Sequence, residues 1–151
     1  MKLSWEECHY MTILMKRQMN RDGWTPEYII GLSRGGNVPA TIFSHLFNVP
    51  ARILNVSFRD FPEQDDMDKF LSWAHLTNKN VLIVDDINDS GKTLQYVRNT
   101  HIPDDDSSNQ FKFATLIHNC ASNFTVDYFG TMIDKSQHDV WVTFPWELTE
   151  I

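Results

Sequence analysis

The sequence predicts an α/β fold with a mainly parallel central sheet flanked by helices, and three observations carry that expectation. Short apolar runs alternate along the chain with segments of helical period, the order expected where strands are joined by crossover helices. One run, Val81 to Val84, contains no polar residue, which suits a central strand covered on both faces. Two runs lead into glycine turns, Ser33-Arg34-Gly35-Gly36 and Asn88-Asp89-Ser90-Gly91, each followed by a helical segment. With 151 residues and 42% hydrophobic content, one domain spanning 1–151 can bury a substantial core.

From Trp5 to Met19 the apolar residues recur at helical spacing, with Ser4 as N-cap and Glu7 as its capping-box partner. Tyr28 to Leu32 is a short apolar strand bounded by Pro26 and the first glycine turn. A helix follows from Val38 to Phe47, Pro39 being tolerated in its first turn. Ala51 to Phe58 reads as a second strand, Arg59 to Asp68 as a polar acidic loop, and the stretch through Phe70, Leu71 and Trp73 as a short helix. After the strand at Val81 to Val84 come a helix from Thr93 to Asn99 and strands at Phe111 to Ile117 and Val126 to Met132. The aromatic tail from Asp134 onward is irregular.

A net charge of −7 opposes general attraction to nucleic acid or to an anionic membrane surface. No run approaches the roughly eighteen apolar residues of a membrane span, and the N-terminal segment is broken by Glu6, Glu7 and His9 where a signal peptide would be apolar. A cytoplasmic protein is expected. Cys8 and Cys120 are isolated, and neither neighbouring histidine gives a zinc-like spacing.

The chemistry concentrates in Val81 to Leu94. Gly91-Lys92-Thr93 ends like a triphosphate P-loop, but Asp86 occupies the position of that motif's first glycine. A carboxylate there would face the phosphates, so the triphosphate reading fails. What remains is an apolar strand tipped by Asp85 and Asp86, a turn, and a helix start. Free amides and the dipole at that start suit a single phosphate monoester, with Ser90, Gly91, Lys92 and Thr93 around it. Carboxylates at the carboxyl edge of an open sheet can accept from sugar hydroxyls, and the two together point to ribose 5-phosphate. Asp89 also fits as a plain helix cap.

Over its length, Val81 to Leu94 resembles the phosphoribosyl-diphosphate motif of the type I phosphoribosyltransferases. Ser33-Arg34-Gly35-Gly36 is similar to that family's diphosphate loop, and Ser4-Trp5-Glu6 with the tail Trp141-Val142 and Pro145-Trp146-Glu147 resembles its bacterial xanthine-guanine branch. The resemblance implies a parallel-sheet fold with a small hood built from both chain ends, and transfer of a phosphoribosyl group from phosphoribosyl diphosphate to hypoxanthine, guanine or xanthine. It implies Mg2+, held by Asp85, Asp86 and Glu147 partly through water, and a homo-oligomer. Ser33, Arg34, Gly35 and Gly36 would bind diphosphate, with a non-proline cis peptide in that loop. Asp85, Asp86, Asp89, Ser90, Gly91, Lys92 and Thr93 would hold the phosphoribosyl group. Asp89 would be the general base near purine N7, and Trp141 with the Val142 backbone would hold the purine, while Trp146 suits core packing.

The sequence also departs from the pattern. Asn119 stands where the 6-oxopurine enzymes carry a base-reading lysine, and its amide can either donate to a 6-oxo group or accept from a 6-amino group. Ser57-Phe58 replaces a Ser-Tyr pair, and the loop beyond is strongly acidic. These departures motivate an alternative, a non-catalytic module of the same fold that senses phosphoribosyl diphosphate or nucleotides.

Overall fold

The first helix, α1 (Trp5–Asp22), begins where its capping box places it. The Ser4 hydroxyl accepts from the Glu7 amide at 3.1 Å, and the Glu7 carboxylate accepts from the Ser4 amide at 2.7 Å. Two donors that a helix start leaves orphaned are thus satisfied reciprocally. The computed structural model that shows this describes residues 1–56, 65–104 and 109–147. Along it follow β1 (Tyr28–Ser33), α2 (Asn37–Phe47), β2 (Ala51–Asn55), α3 (Asp65–Leu76), β3 (Val81–Asn88), α4 (Lys92–His101), β4 (Phe111–Asn119) and β5 (Tyr128–Ile133). A 3-10 turn at Pro145–Glu147 ends the described chain.

Most elements shift by one to three residues at an end, and the differences at β2, α3 and β3 bear on the site. The second strand stops at Asn55, and Ser57, Phe58 and the acidic positions up to Gln64 lie outside the described residues, as do Asp105 and Asp106. Helix α3 starts at Asp65, inside the stretch read as loop. Strand β3 does not end at Val84 but runs through both acids to Asn88, because β4 continues to pair with it as far as Asn88 against His118. Tertiary pairing there overrides the turn preference of Asp and Asn.

All five strands are parallel, in the order β2-β1-β3-β4-β5. Alternation along β3 divides the core. Leu82 and Val84 join the cluster of Met11, Met15, Met19 and Phe43 from α1 and α2. Val81 and Ile83 join that of Phe70, Leu71, Leu94 and Val97 from α3 and α4. The sheet is therefore covered on both faces, as parallel strands of continuous apolar sequence require.

Strand order reverses between β1 and β3. Their pairing runs from Tyr28 against Val81 to Gly31 against Val84, so beyond Val84 strand β3 keeps β4 and loses β1. Asp85 to Asn88 thereby border an open step at the carboxyl edge, the topological switch point where ligands of such sheets bind. The chain ends meet near it: Leu3 N donates to Thr143 O at 3.0 Å and Thr143 N donates to Met1 O at 2.8 Å. Among the described residues no helix is long and apolar enough to cross a membrane.

Candidate active site

At the carboxyl end of β3, Gly91 caps α4 with φ 90° and no side-chain cap bond. A Cβ there would lie 2.7 Å from both the Phe124 amide nitrogen and Ser122 Oγ, so both the positive φ and the packing require glycine. The helix start carries Lys92 exposed and Thr93 half-buried. Its one side-chain acceptor within the turn is Ser90 Oγ, 3.4 Å from the Lys92 amide. Backbone donors at this start are available to an anion.

A polar network missed by the sequence reading supports this turn. Asn88 Nδ2 donates to Phe124 O at 2.6 Å and lies 3.1 Å from His118 Nδ1, while Ser122 Oγ donates to Asn88 Oδ1 at 2.9 Å. Burial lowers the His118 pKa, which suits a neutral ring accepting through Nδ1. Asn123 N donates to Ser90 O at 3.1 Å and ties the network to the phosphate turn. Asn88, Ser122 and Asn123 are residue types that any loop contains, so the sequence carries no signal of their convergence.

The second glycine turn lies at the carboxyl end of β1. Its Ser33–Arg34 peptide is cis, as the resemblance implies. Arg34 is exposed, Ser33 and Gly35 are half-buried, and Gly36 is buried as the N-cap of α2, with no side-chain cap bond. A side chain at Gly35 would land on the Asp86 carboxylate. The turn and Asp86 are thus in direct contact, and the two helix starts without a side-chain cap, those of α2 and α4, follow the neighbouring strands β1 and β3 at the same sheet edge.

Asp85 and Asp86 follow one another near the end of β3, and their carboxyl groups hydrogen-bond to each other. Burial raises the pKa of both; the charge of Asp86 adds to the rise at Asp85, and that of Glu147 adds to it at Asp86. Asp85 Oδ1 accepts from the Asp86 amide at 2.9 Å. Burial also pushes the neighbouring Cys8 thiol up to about 11, with Glu7 and Asp86 contributing. A carboxyl whose pKa is raised on folding contributes most to stability when protonated, and the contribution is lost as pH rises through the folded value. Asp86→Asn is therefore expected to raise the unfolding midpoint by a few degrees at pH 8. The gain should vanish at acidic pH, near the unfolded carboxyl range of about 3.9. Thermal melts across pH read it directly, and an equal shift at all pH would contradict it.

Asp89 follows β3 and meets two partners. Asn119 Nδ2 donates to Asp89 O at 3.0 Å and reaches Oδ1 at 3.3 Å, and Lys135 Nζ donates to Asp89 Oδ2 at 2.9 Å. Asn119 Oδ1 accepts from Ala121 N at 3.2 Å and Lys135 N at 3.1 Å. The reading of Asn119 as an amide free to donate or accept at a purine therefore changes. It is 5% exposed, and both ends are engaged in holding Asp89 and the start of the next turn. Lys135 was not anticipated, because it follows β5 and lies far from Asp89 in sequence.

In the hood, Trp141 is 81% exposed, and its carbonyl accepts from the Met1 ammonium at 2.6 Å. The Val142 side chain is buried in the α1/α2 core. Trp146 packs against Phe144 at 4.9 Å and Trp5 at 5.8 Å between ring centroids, as core packing requires. Glu147 Oε2 accepts from the Phe144 amide at 3.0 Å.

An open parallel sheet with two uncapped helix starts at its switch point, and adjacent acids between them, defines a binding fold for a phosphorylated sugar. Residues 8–150 match the phosphoribosyl transferase domain family, and the chain belongs to it. Among its relatives, the xanthine-guanine phosphoribosyltransferase of Idiomarina loihiensis is 34% identical over 152 residues, spanning 97% of this chain and 86% of that protein. That of Cereibacter sphaeroides is 29% identical with the same coverage of 97% and 86%. The fold matches a purine phosphoribosyltransferase from Pyrococcus horikoshii with TM-score 0.72 at 24% identity, over 100% of this chain and 96% of that one. It also matches the Helicobacter pylori xanthine-guanine-hypoxanthine enzyme with TM-score 0.73 at 21% identity, over 97% and 92%.

Proposed function

We propose that the chain, acting as one domain in the cytoplasm, is a magnesium-dependent purine phosphoribosyltransferase. It transfers the 5-phosphoribosyl group from phosphoribosyl diphosphate to hypoxanthine, guanine or xanthine, and releases diphosphate. The observation that carries this reading is the pair of uncapped helix starts, α2 and α4, on either side of Asp85 and Asp86. One start takes the diphosphate through Ser33 to Gly36, the other the 5-phosphate through Ser90 to Thr93.

In the reaction the bond from ribose C1 to the diphosphate oxygen breaks with its electrons leaving on diphosphate, and purine N9 bonds to C1. The ring passes through an oxocarbenium-like state, so fixed charges and positioning supply most of the acceleration. Asp89 removes the proton from purine N7. Asp85 and Asp86 accept from the ribose hydroxyls, and Trp141 stacks on the base beside the Val142 backbone.

The acid pair fits a hard divalent cation: it offers oxygen donors only, and burial disfavours its charge, a penalty that a cation relieves. Asp85 and Asp86 would hold Mg2+ partly through water, and the ion when bound would offset the charge of the diphosphate. Among the described residues no three His, Cys, Asp or Glu side chains gather as a metal site, so Glu147, whose Oε2 accepts from the Phe144 amide, is not carried over as a third ligand. The apolar surface where exposed Trp5 of α1 meets Ile42 and Leu46 of α2 suits self-association into a homo-oligomer.

Incubation with phosphoribosyl diphosphate, Mg2+ and each purine in turn is expected to give nucleoside monophosphate and diphosphate in equal amounts. The reading does not survive if none of hypoxanthine, guanine, xanthine or adenine is converted.

A further inference from the structure

We propose that Lys135 selects a 6-oxopurine, its ammonium donating to the exocyclic O6 while Asp89 beside it takes the N7 proton. The inference rests on the purine phosphoribosyltransferase reading above. Its starting point is the 2.9 Å contact between Lys135 Nζ and Asp89 Oδ2, which sets a donor next to an acceptor at the sheet edge. Alone, such a surface pair contributes little and is easily broken. Here one amide fixes both residues, since Asn119 holds Asp89 through Nδ2 and the Lys135 backbone through Oδ1.

The turn after β5 is held from its other end as well. The Asp134 carboxylate accepts from the Ser136 amide at 3.0 Å and from the Ser136 hydroxyl, and His138 N donates to Asp134 O at 3.2 Å. The Lys135 side chain retains 20% exposure, so its ammonium is both positioned and reachable.

Purine chemistry supplies the complement. Guanine and hypoxanthine carry N7 and O6 side by side on one edge, whereas adenine carries N7 beside an amino donor. With the proton on N7, a 6-oxopurine presents a donor next to an acceptor, which matches a carboxylate next to an ammonium. Adenine would place its amino group against an ammonium that has no acceptor to offer, a mismatch that discriminates by repulsion. Asn119 cannot turn to accommodate adenine, because its oxygen already accepts from Ala121 N and Lys135 N.

The test compares wild type, Lys135→Met and Lys135→Arg. Steady-state rates are taken with hypoxanthine and guanine, then with varied phosphoribosyl diphosphate, and calorimetry follows binding of guanosine and adenosine monophosphates. Lys135→Met is expected to lower kcat/KM for both 6-oxopurines by about 10- to 100-fold, the range of a lost charge-assisted hydrogen bond. Its preference for guanosine over adenosine monophosphate should shrink, while KM for phosphoribosyl diphosphate and the unfolding midpoint stay near wild type. Lys135→Arg keeps the charge and should restore part of the preference. If Lys135→Met retains the wild-type preference, or loses purine and phosphoribosyl diphosphate recognition equally, the assignment is overturned while the enzyme reading stands. A wild-type protein that converts no purine overturns both.

Discussion

Replacing Asp89 with asparagine is expected to lower kcat by about 10²- to 10⁴-fold, the span that a positioned general base contributes, with KM for phosphoribosyl diphosphate changed little. The geometry makes the substitution clean. Asparagine keeps an oxygen for the Asn119 amide, which reaches Asp89 Oδ1 at 3.3 Å, and the backbone bond from Asn119 to Asp89 O at 3.0 Å does not involve the side chain. What disappears is the carboxylate that takes the proton, together with its ion pair to Lys135. Because that pair is partly exposed, its loss should shift stability by no more than about 1 kcal/mol. Pre-steady-state kinetics would show whether the chemical step has slowed. An Asp89→Asn protein with wild-type kcat and a lowered melting point would instead leave Asp89 a structural partner of Asn119 and Lys135. The helix-cap role the sequence offered is not realised, since Gly91 caps α4 without a side-chain bond.

The parts of this site legible in the sequence are those whose chemistry is local. Gly91 and its neighbours announce a phosphate turn because one backbone segment supplies the φ, the amides and the hydroxyls. Ser4 and Glu7 announce a helix start because the capping box closes within three residues. Asp85 and Asp86 are visible as acids after an apolar run, yet their place within a continuing strand is not. That depends on β4 pairing past the point where β1 has turned away.

The illegible parts are those assembled across strands. Asn88 reads as a turn residue but is buried against Ser122, Phe124 and His118. Asn119 reads as a variable base contact, but its two ends are used by Asp89 and by the turn that begins at Lys135. Lys135 itself has no motif around it. Only the adjacency of β3, β4 and β5 brings the residues after their carboxyl ends together, and no spacing in the chain encodes which polar side chains will then face one another.

Gly36→Ala should be the most damaging substitution of the smallest size. The added methyl would overlap the Val84 carbonyl and sit 2.7 Å from Leu32 O and 2.8 Å from Leu32 N. These are backbone atoms of β1 and β3, both paired within the sheet, so neither strand can yield as a flexible side chain would. The turn must move instead, and with it the start of α2 and the contact between Gly35 and Asp86. Overpacking of this kind costs about 1–3 kcal/mol, and displacing a ligand-holding element by an ångström can cost about 100-fold in rate. Expected, then, are a lowered melting point and a kcat/KM for phosphoribosyl diphosphate down by about 100-fold. Gly23→Ala provides the comparison, since Gly23 has φ 65° but nothing within 4 Å of an added Cβ. It lies before β1, at the amino edge of the sheet. That variant should lose about 1–2 kcal/mol through backbone strain alone with KM unchanged. If both variants lose stability alike and both keep KM, then Gly36 serves the backbone only, and the diphosphate would have to be held elsewhere than at the start of α2.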